Sequence, residues 1–160
     1  MPGDSIRLRL IQNVADSLRA INAASGYYLT VQPESVKTEP ADLLTAPGPN
    51  LPMFLVAASQ RAPRIFHPSK RVRETVAVDI TAAADVGDTT DPTAKLTACE
   101  QLAADMEKAL ALDITRGQIA MVTRVLDPQF WMNMGNQARV IVVQPVDIEV
   151  QRIYGQPDQR

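Results

Sequence analysis

Alternation of apolar and polar side chains over two long stretches, residues 72–81 and 139–151, most constrains the fold of this chain. The apolar members are Val72, Val76, Val78 and Ile80 in the first stretch, and Val140, Val142, Val146, Ile148 and Val150 in the second. Glu74 and Gln144 are the exceptions on these faces. Because successive side chains of a strand point to opposite faces, this period predicts two half-buried strands. Pro145 within the second predicts a bulge, a bend or an edge position.

Periodicity of three and four residues predicts two long helices. Residues 5–24 carry one apolar face with a charged face opposite, which is the pattern of an amphipathic helix. A second apolar stripe runs from Leu96 to Leu110. The predicted boundary residues are Asp4 or Ser5 and Gly26 for the first helix, and Asp91, Pro92 and Gly117 for the second.

Shorter strands are predicted between these elements, at residues 27–31 with a continuation through 36–38, at 53–59 and at 119–126. The stretch 53–59 is apolar on both faces, which favours a central strand that pairs with 72–81 as a hairpin. Strands adjacent in sequence without crossover helices favour antiparallel pairing. We therefore expect a single domain over residues 1–160, of class α+β, with two long helices on a mainly antiparallel (mixed) sheet.

Two long connections depart from the expected short loops. Residues 39–52 hold four prolines and predict a proline-rich loop. Residues 60–73 predict a projecting β-hairpin arm that is strongly basic, with Arg61, Arg64, Lys70, Arg71 and Arg73. The whole chain has a formal charge of −2, so the arm's five cations leave about −7 elsewhere. Residues 154–160 predict a flexible tail.

Three roles suit the basic arm: docking on an acidic protein surface, contact with nucleic-acid phosphates, or a solubilising tip. Phe66 is the only aromatic residue in the arm, and the acidic remainder of the chain repels DNA. We therefore favour protein docking, in which complementary charge sets the register between partners. A second candidate interface is the cluster Phe130, Trp131, Met132 and Met134, which either folds onto the core or anchors a subunit contact.

Composition argues against an enzyme. The chain has one cysteine, Cys99, and one histidine, His67, which exclude an internal disulfide and leave a single possible Cys-His nucleophile pair. Since Cys99 lies on an apolar helical stripe, we interpret it as core filling. Asp85, Asp88 and Asp91 form the only candidate cation turn, but their spacing departs from known loops and Asp91 suits a helix cap. We expect no catalytic residue, no cofactor and no metal.

The longest apolar run, within residues 53–58, is far shorter than the roughly 20 residues of a membrane span. No charged-then-apolar leader opens the chain. We expect a protein without a membrane segment, neither inserted nor secreted.

Four passages of the chain carry a family resemblance. They read IRLRLIQNVADSLRAI, YYLTVQPESV, CEQLAADMEKALALDITRG and ARVIVVQPVDIEVQRIY. Within the third, a helix ending is formed by Asp105, Ala109, Leu110, Asp113 and Gly117. In these passages the chain resembles the tail terminator (tail completion) proteins of long-tailed bacteriophages. The resemblance covers most of the chain. The proline-rich loop and the basic arm have no counterpart in the resemblance.

The resemblance implies a structural virion protein, assembled in the host cytoplasm, that forms a homohexameric ring on the head-proximal end of the tail tube. Such a ring ends tube polymerisation and joins the tail to a neck or connector protein, while DNA passes through it without being read. The alternatives are another neck or head-completion ring protein, and a small DNA-binding accessory protein acting through residues 61–73.

Overall fold

Two helices cover one face of a mixed sheet, which confirms the predicted α+β class. The computed structural model describes residues 5–43, 51–61, 64–66, 71–87, 91–132 and 138–153. The helices are α1 (Ile6–Arg19) and α2 (Pro92–Ala111). The strands are β1 (Val36–Lys37), β2 (Met53–Ala58), β3 (Arg64–Phe66), β4 (Arg71–Asp85), β5 (Val122–Val125), β6 (Gln129–Trp131) and β7 (Arg139–Ile153).

The centre of the sheet is an antiparallel ladder between β4 and β7. Its register is unbroken from Arg71 opposite Ile153 to Asp85 opposite Arg139. Each strand has 15 residues, so the ladder is about 50 Å long. The main strand order is β1-β2-β4-β7-β5, with β3 paired to β4 and β6 paired to β7. Only β1 and β2 run parallel among the pairs within the described ranges.

The predicted hairpin between residues 53–59 and 72–81 is confirmed, because β2 pairs with β4 in antiparallel register. The second strand is longer than predicted and continues through Ala82, Ala83 and Ala84 to Asp85. Three successive alanines hide the alternation, so the sequence pattern ends before the strand does. The ladder with β7 nevertheless continues to Asp85.

One face of the ladder and the apolar stripes of both helices form a single core. Its members on the helices include Leu10, Val14, Leu18, Leu102, Met106 and Leu110, and on the ladder Val78, Ile80, Val142, Val146 and Ile148. Full burial of each such side chain contributes about 1.5–3 kcal/mol before the entropy of folding is subtracted. We call this the inner face of the sheet, and the opposite side the helix-free face.

The first helix and the strand predicted after it need correction. Helix α1 begins after the Ser5 cap as expected but ends at Arg19, and Gly26 (φ 81°) instead ends a 3₁₀ turn at Ala23–Ser25. Residues 27–31 are not a strand. Their backbone finds other partners, since the Tyr28 and Leu29 amides donate to the Asp105 carboxylate at 3.0 and 2.9 Å. Tertiary hydrogen bonds here override β propensity.

The second half of the chain follows the prediction with shifted boundaries. Asp91 caps α2 by accepting from the Thr93 amide at 2.9 Å, and Pro92 is its first residue. The helix ends at Ala111, and Gly117 (φ 63°) lies in the turn that follows it. Strand β5 covers only Val122–Val125 of the predicted residues 119–126.

Pro145 lies in β7 without a bulge, because the register with β4 continues through it. Its carbonyl accepts from the Leu126 amide at 3.0 Å, between the parts of β7 that pair with β6 and with β5. In an antiparallel strand the N–H and C=O of one residue point to the same side. The missing N–H therefore faces this gap, and the Gln144 side chain fills it by donating to the Leu126 carbonyl.

The proline-rich loop, residues 39–52, is described only at its two ends. Leu43 and Leu51 there pack with Met53 and Ile141 in a small cluster on the helix-free face. The described ends hold no helix or strand, as the prolines predict. Residues 44–50 and the predicted tail, 154–160, lie outside the described residues.

Replacing Asp105 by alanine should lower the free energy of unfolding by about 2–3 kcal/mol, since two amides lose a charged acceptor. The control is Glu107→Ala, two residues further along α2 and exposed, which should change the stability by less than about 0.5 kcal/mol. Chemical denaturation of both variants measures the difference. Equal stabilities would show that residues 27–31 do not depend on this carboxylate.

Candidate functional site

The basic arm, residues 60–73, extends the sheet. Strand β3 pairs antiparallel with the start of β4, with Arg64 opposite Thr75 and Phe66 opposite Arg73. The predicted β-hairpin arm therefore contains a three-residue strand, β3, which pairs with the start of β4 at the end of the ladder. Lys70 lies outside the described residues, as does the side chain of Arg64.

Arg61 lies against the helix-free face. Its guanidinium donates to Asp147 at 2.8 Å and to Asp79 at 3.4 Å. It also donates to the Val146 carbonyl at 3.3 Å, and its Nε donates to Ser59 Oγ at 3.1 Å. Arg61 therefore ties the base of the arm to β4 and β7, and two carboxylates already surround its charge.

Glu74, the exception in the alternating pattern of β4, is 6% exposed on the inner face. Arg7 of α1 donates to it at 2.7 Å and Arg152 of β7 at 2.8 Å. A buried carboxylate is tolerated here because two guanidiniums satisfy both of its oxygens. Two positive charges against one negative leave a net positive site.

Arg71 and Arg73 are exposed at this same end of the ladder. Together with Arg7, Arg152 and Glu74 they give four guanidiniums and one carboxylate, a net charge of +3. We call this group the basic end. Of the predicted interface arginines, Arg71 and Arg73 belong to it, whereas Arg61 is directed back onto the sheet.

The opposite end of the ladder carries exposed carboxylates, Asp42, Asp85 and Asp91. Asp85 accepts from the Gly87 amide at 2.9 Å and Asp91 caps α2, so both also order the backbone locally. The nearby cations are Arg139, half-buried with its guanidinium on the Leu43 carbonyl at 2.9 Å, and Lys95 in the first turns of α2. We call this group the acidic end.

The predicted aromatic and methionine cluster is divided by the sheet. Phe130 and Met132 are half-buried and pack against the core. Trp131 points to the helix-free face beside Ile141 and is 42% exposed. Phe130 and Met132 thus fold onto the core, whereas alternation in β6 leaves Trp131 exposed, and a subunit contact through Trp131 stays a prediction. Met134 lies outside the described residues.

Arg116 is a buried residue that the sequence pattern did not reveal. It follows α2 with φ 48° and is fully buried. Its guanidinium donates to Thr123 Oγ1 and Ser17 Oγ, both at 3.0 Å, and to the Leu110 carbonyl at the end of α2. Burial lowers the pKa of Arg116, and the charge of Asp113 opposes that shift. One side chain thus joins α1, α2 and β5.

Asp113 orders the same turn. Its carboxylate accepts from the Gly117 amide at 2.6 Å and from the Thr115 amide and hydroxyl at 3.2 and 3.1 Å. Burial alone would raise the pKa of Asp113, but these hydrogen bonds and the Arg116 charge together lower it. The helix-ending residues of the sequence therefore have defined structural roles.

The catalytic and metal alternatives find no geometric support in the described parts of the chain. Cys99 is buried in α2, and burial, with a smaller effect from Glu100, raises its pKa to about 11. Its thiol stays protonated at neutral pH, while His67 and Asp88 lie outside the described residues. Among the residues with described side chains, no group of three His, Cys, Asp or Glu could hold a metal ion.

Comparison with known proteins gives no match to any family model and none to any curated protein. Neither described helix has both the length and the apolar character that a membrane span requires.

Replacing Glu74 by glutamine should lower the free energy of unfolding by about 2 kcal/mol, because two guanidiniums lose their buried partner. The matched control is Glu149→Gln, whose carboxylate pairs with Arg124 at the surface and should contribute less than about 1 kcal/mol. Urea denaturation of both variants gives the comparison. A smaller loss at position 74 than at 149 would contradict the role assigned to Glu74.

Replacing Arg116 by methionine should lower the free energy of unfolding by about 2–4 kcal/mol, since several buried acceptors lose their donor. Arg124→Met, which removes an exposed arginine of the adjoining strand, is the control. Thermal and chemical unfolding measure both. Similar effects of the two substitutions would show that Arg116 does not join the helices to the sheet.

Proposed function

We propose that this chain is the subunit of a homo-oligomeric ring that caps the head-proximal end of a phage tail tube. In this role the ring ends tube polymerisation, joins the tail to a neck or connector protein and lets DNA pass unread. The ring is proposed to have six subunits and to belong to the virion. The four resembling passages support the family assignment.

The helix ending strengthens the resemblance with physical reasons. Asp105 accepts from two amides of residues 28 and 29, Asp113 orders the turn after α2, and Gly117 adopts a positive φ in it. Ala109 and Leu110 are buried against the core. Residues with such constrained roles suit a motif that persists where the rest of a sequence diverges.

The observation that carries the ring proposal is the separation of charge along the ladder. The basic and acidic ends lie about 50 Å apart, at opposite ends of one rigid pair of strands. A ring is built from heterologous contacts, in which a patch on one subunit meets a different patch on the next. With Arg139 and Lys95 counted, the acidic end carries a net −1 against +3 at the basic end, and this difference in sign supplies two complementary patches.

A DNA-binding accessory role is the second candidate, and the exposed Arg71 and Arg73 favour it. Phosphate contacts would give an affinity that falls steeply with salt, by about 0.9 in log K per log salt for each neutralised phosphate. Titration of duplex DNA at several salt concentrations separates the two functions. For a ring subunit we expect weak binding without sequence preference.

The ring proposal is tested by reversing the charge of the basic end. Arg71→Glu with Arg73→Glu should abolish ring assembly, because the acidic end of the neighbour would then face like charge. Lys37→Glu with Arg9→Glu makes the same change of charge on residues that belong to neither end, and should leave rings intact. Light scattering over a concentration series and electron microscopy measure the assembly.

One outcome would contradict the assigned contact, and another would contradict the ring itself. Unchanged rings in the Arg71 and Arg73 double variant would remove the basic end from the assembly contact. A single-chain mass at every concentration, both alone and with tube subunits of the same virus, would contradict a self-assembling ring, and steep salt-dependent DNA binding would then favour the accessory role.

A further inference from the structure

The basic end contains a cleft of about 240 Å³ beside the ladder. It is lined by Arg71, Ile119, Ala120, Met121 and Gln151. Met121 is 42% exposed at its edge. The cleft thus combines apolar side chains with a guanidinium, a combination that suits an aromatic side chain.

One exposed aromatic side chain lies toward the acidic end of the ladder. Trp131 is the only tryptophan of the chain and is 42% exposed on the helix-free face. It lies opposite Ile141 in β7, which lies opposite Ala83 in β4. Asp85, two residues further along β4, therefore lies on the same face as Trp131, with β7 between them.

We propose that Trp131 of one copy inserts into the Arg71–Met121 cleft of the next copy, with the acidic end of the first against the basic end of the second. This contact rests on the self-association in the proposed function and assigns its two surfaces. It is heterologous, so repetition leads to a closed ring or to a chain of subunits.

The distance between the two features requires a second copy. Ile141 beside Trp131 and Gln151 in the cleft are ten residues apart on one continuous strand, a separation of about 34 Å. The tryptophan of a chain therefore cannot fill that chain's own cleft. An exposed tryptophan and an arginine-lined apolar cleft are the residue types that dominate the binding energy of interfaces.

Charge places the two copies in one orientation. Arg71 lines the cleft and Arg73 is exposed on the same face of β4, whereas the exposed Asp85 lies on the face of Trp131 at the other end of the ladder. Turning one copy around would bring like charges together, which disfavours the symmetric contact. Because the attracting groups are exposed, the contact should weaken as salt rises.

Cysteine cross-linking tests the geometry directly. Gln129→Cys lies two residues from Trp131 on the same face, and Gln151→Cys lines the cleft. Gln12→Cys, exposed on α1, is a control of the same chemistry. The natural Cys99 is buried, so a short bismaleimide should react only with the introduced thiols.

Mixing the Gln129→Cys and Gln151→Cys proteins should give a cross-linked dimer that neither protein gives alone, and mixtures with Gln12→Cys should give none. Dimers formed by either variant alone would overturn the heterologous contact while self-association stands. Growth in mass without cross-links would also overturn the inference and leave the ring. Single chains without cross-links would contradict both the inference and the ring.

Fluorescence of the unmodified protein gives a second test. Emission from Trp131 should shift to shorter wavelength in step with the growth in mass, and high salt should reverse both changes. Growth in mass with no shift in emission would show that Trp131 stays exposed in the assembly, and would overturn the proposed contact.

Discussion

The continuous ladder between β4 and β7 is the constraint on which the rest of the structure depends. Each of the other strands except β1 pairs directly with one of these two strands, and both helices pack on their inner face. A slip of one residue in a strand would move its whole apolar set to the other face. The buried valines and isoleucines therefore hold the register, and the register in turn sets every other position.

Polar side chains complete the structure where the ladder and the helices leave groups without partners. Asp105 accepts hydrogen bonds from the amides of residues 28 and 29. Arg116 donates to a carbonyl at the end of α2, and Gln144 donates to the Leu126 carbonyl in the gap beside Pro145. Among the described residues no buried side-chain nitrogen or oxygen lacks a hydrogen-bond partner. Since an unsatisfied buried group costs about 1–3 kcal/mol, these residues specify the connections between elements that apolar packing alone would leave loose.

The same ladder separates the features on which the proposed assembly depends. Because its strands have 15 residues each, the arginines near residues 71 and 152 and the aspartates near residue 85 are too far apart to neutralise one another within a chain. Opposite net charge at the two ends favours contact between the end of one molecule and the other end of the next. The cleft beside Arg71 and the exposed Trp131 likewise lie toward opposite ends of the ladder. The proposed contact between subunits therefore depends on the length of this pair of strands.

The sequence by itself determined the two helices, the strands at 53–59, 72–81 and 139–151, the cap at Asp91, and the excess of positive charge in the arm, and it narrowed the first cap to Asp4 or Ser5. These features depend on local period and on side chains that act on their own backbone, so a single sequence carries them. Only the tertiary structure decided that residues 27–31 form no strand, that Arg61 lies back on the sheet and that Trp131, among the described members of its cluster, is the exposed one. It also decided the partners of Glu74 and Arg116. Glu74 binds Arg7, which is 67 positions away in the sequence, and Arg116 binds Ser17, which is 99 positions away. Such distant pairs leave no periodic signal in the chain.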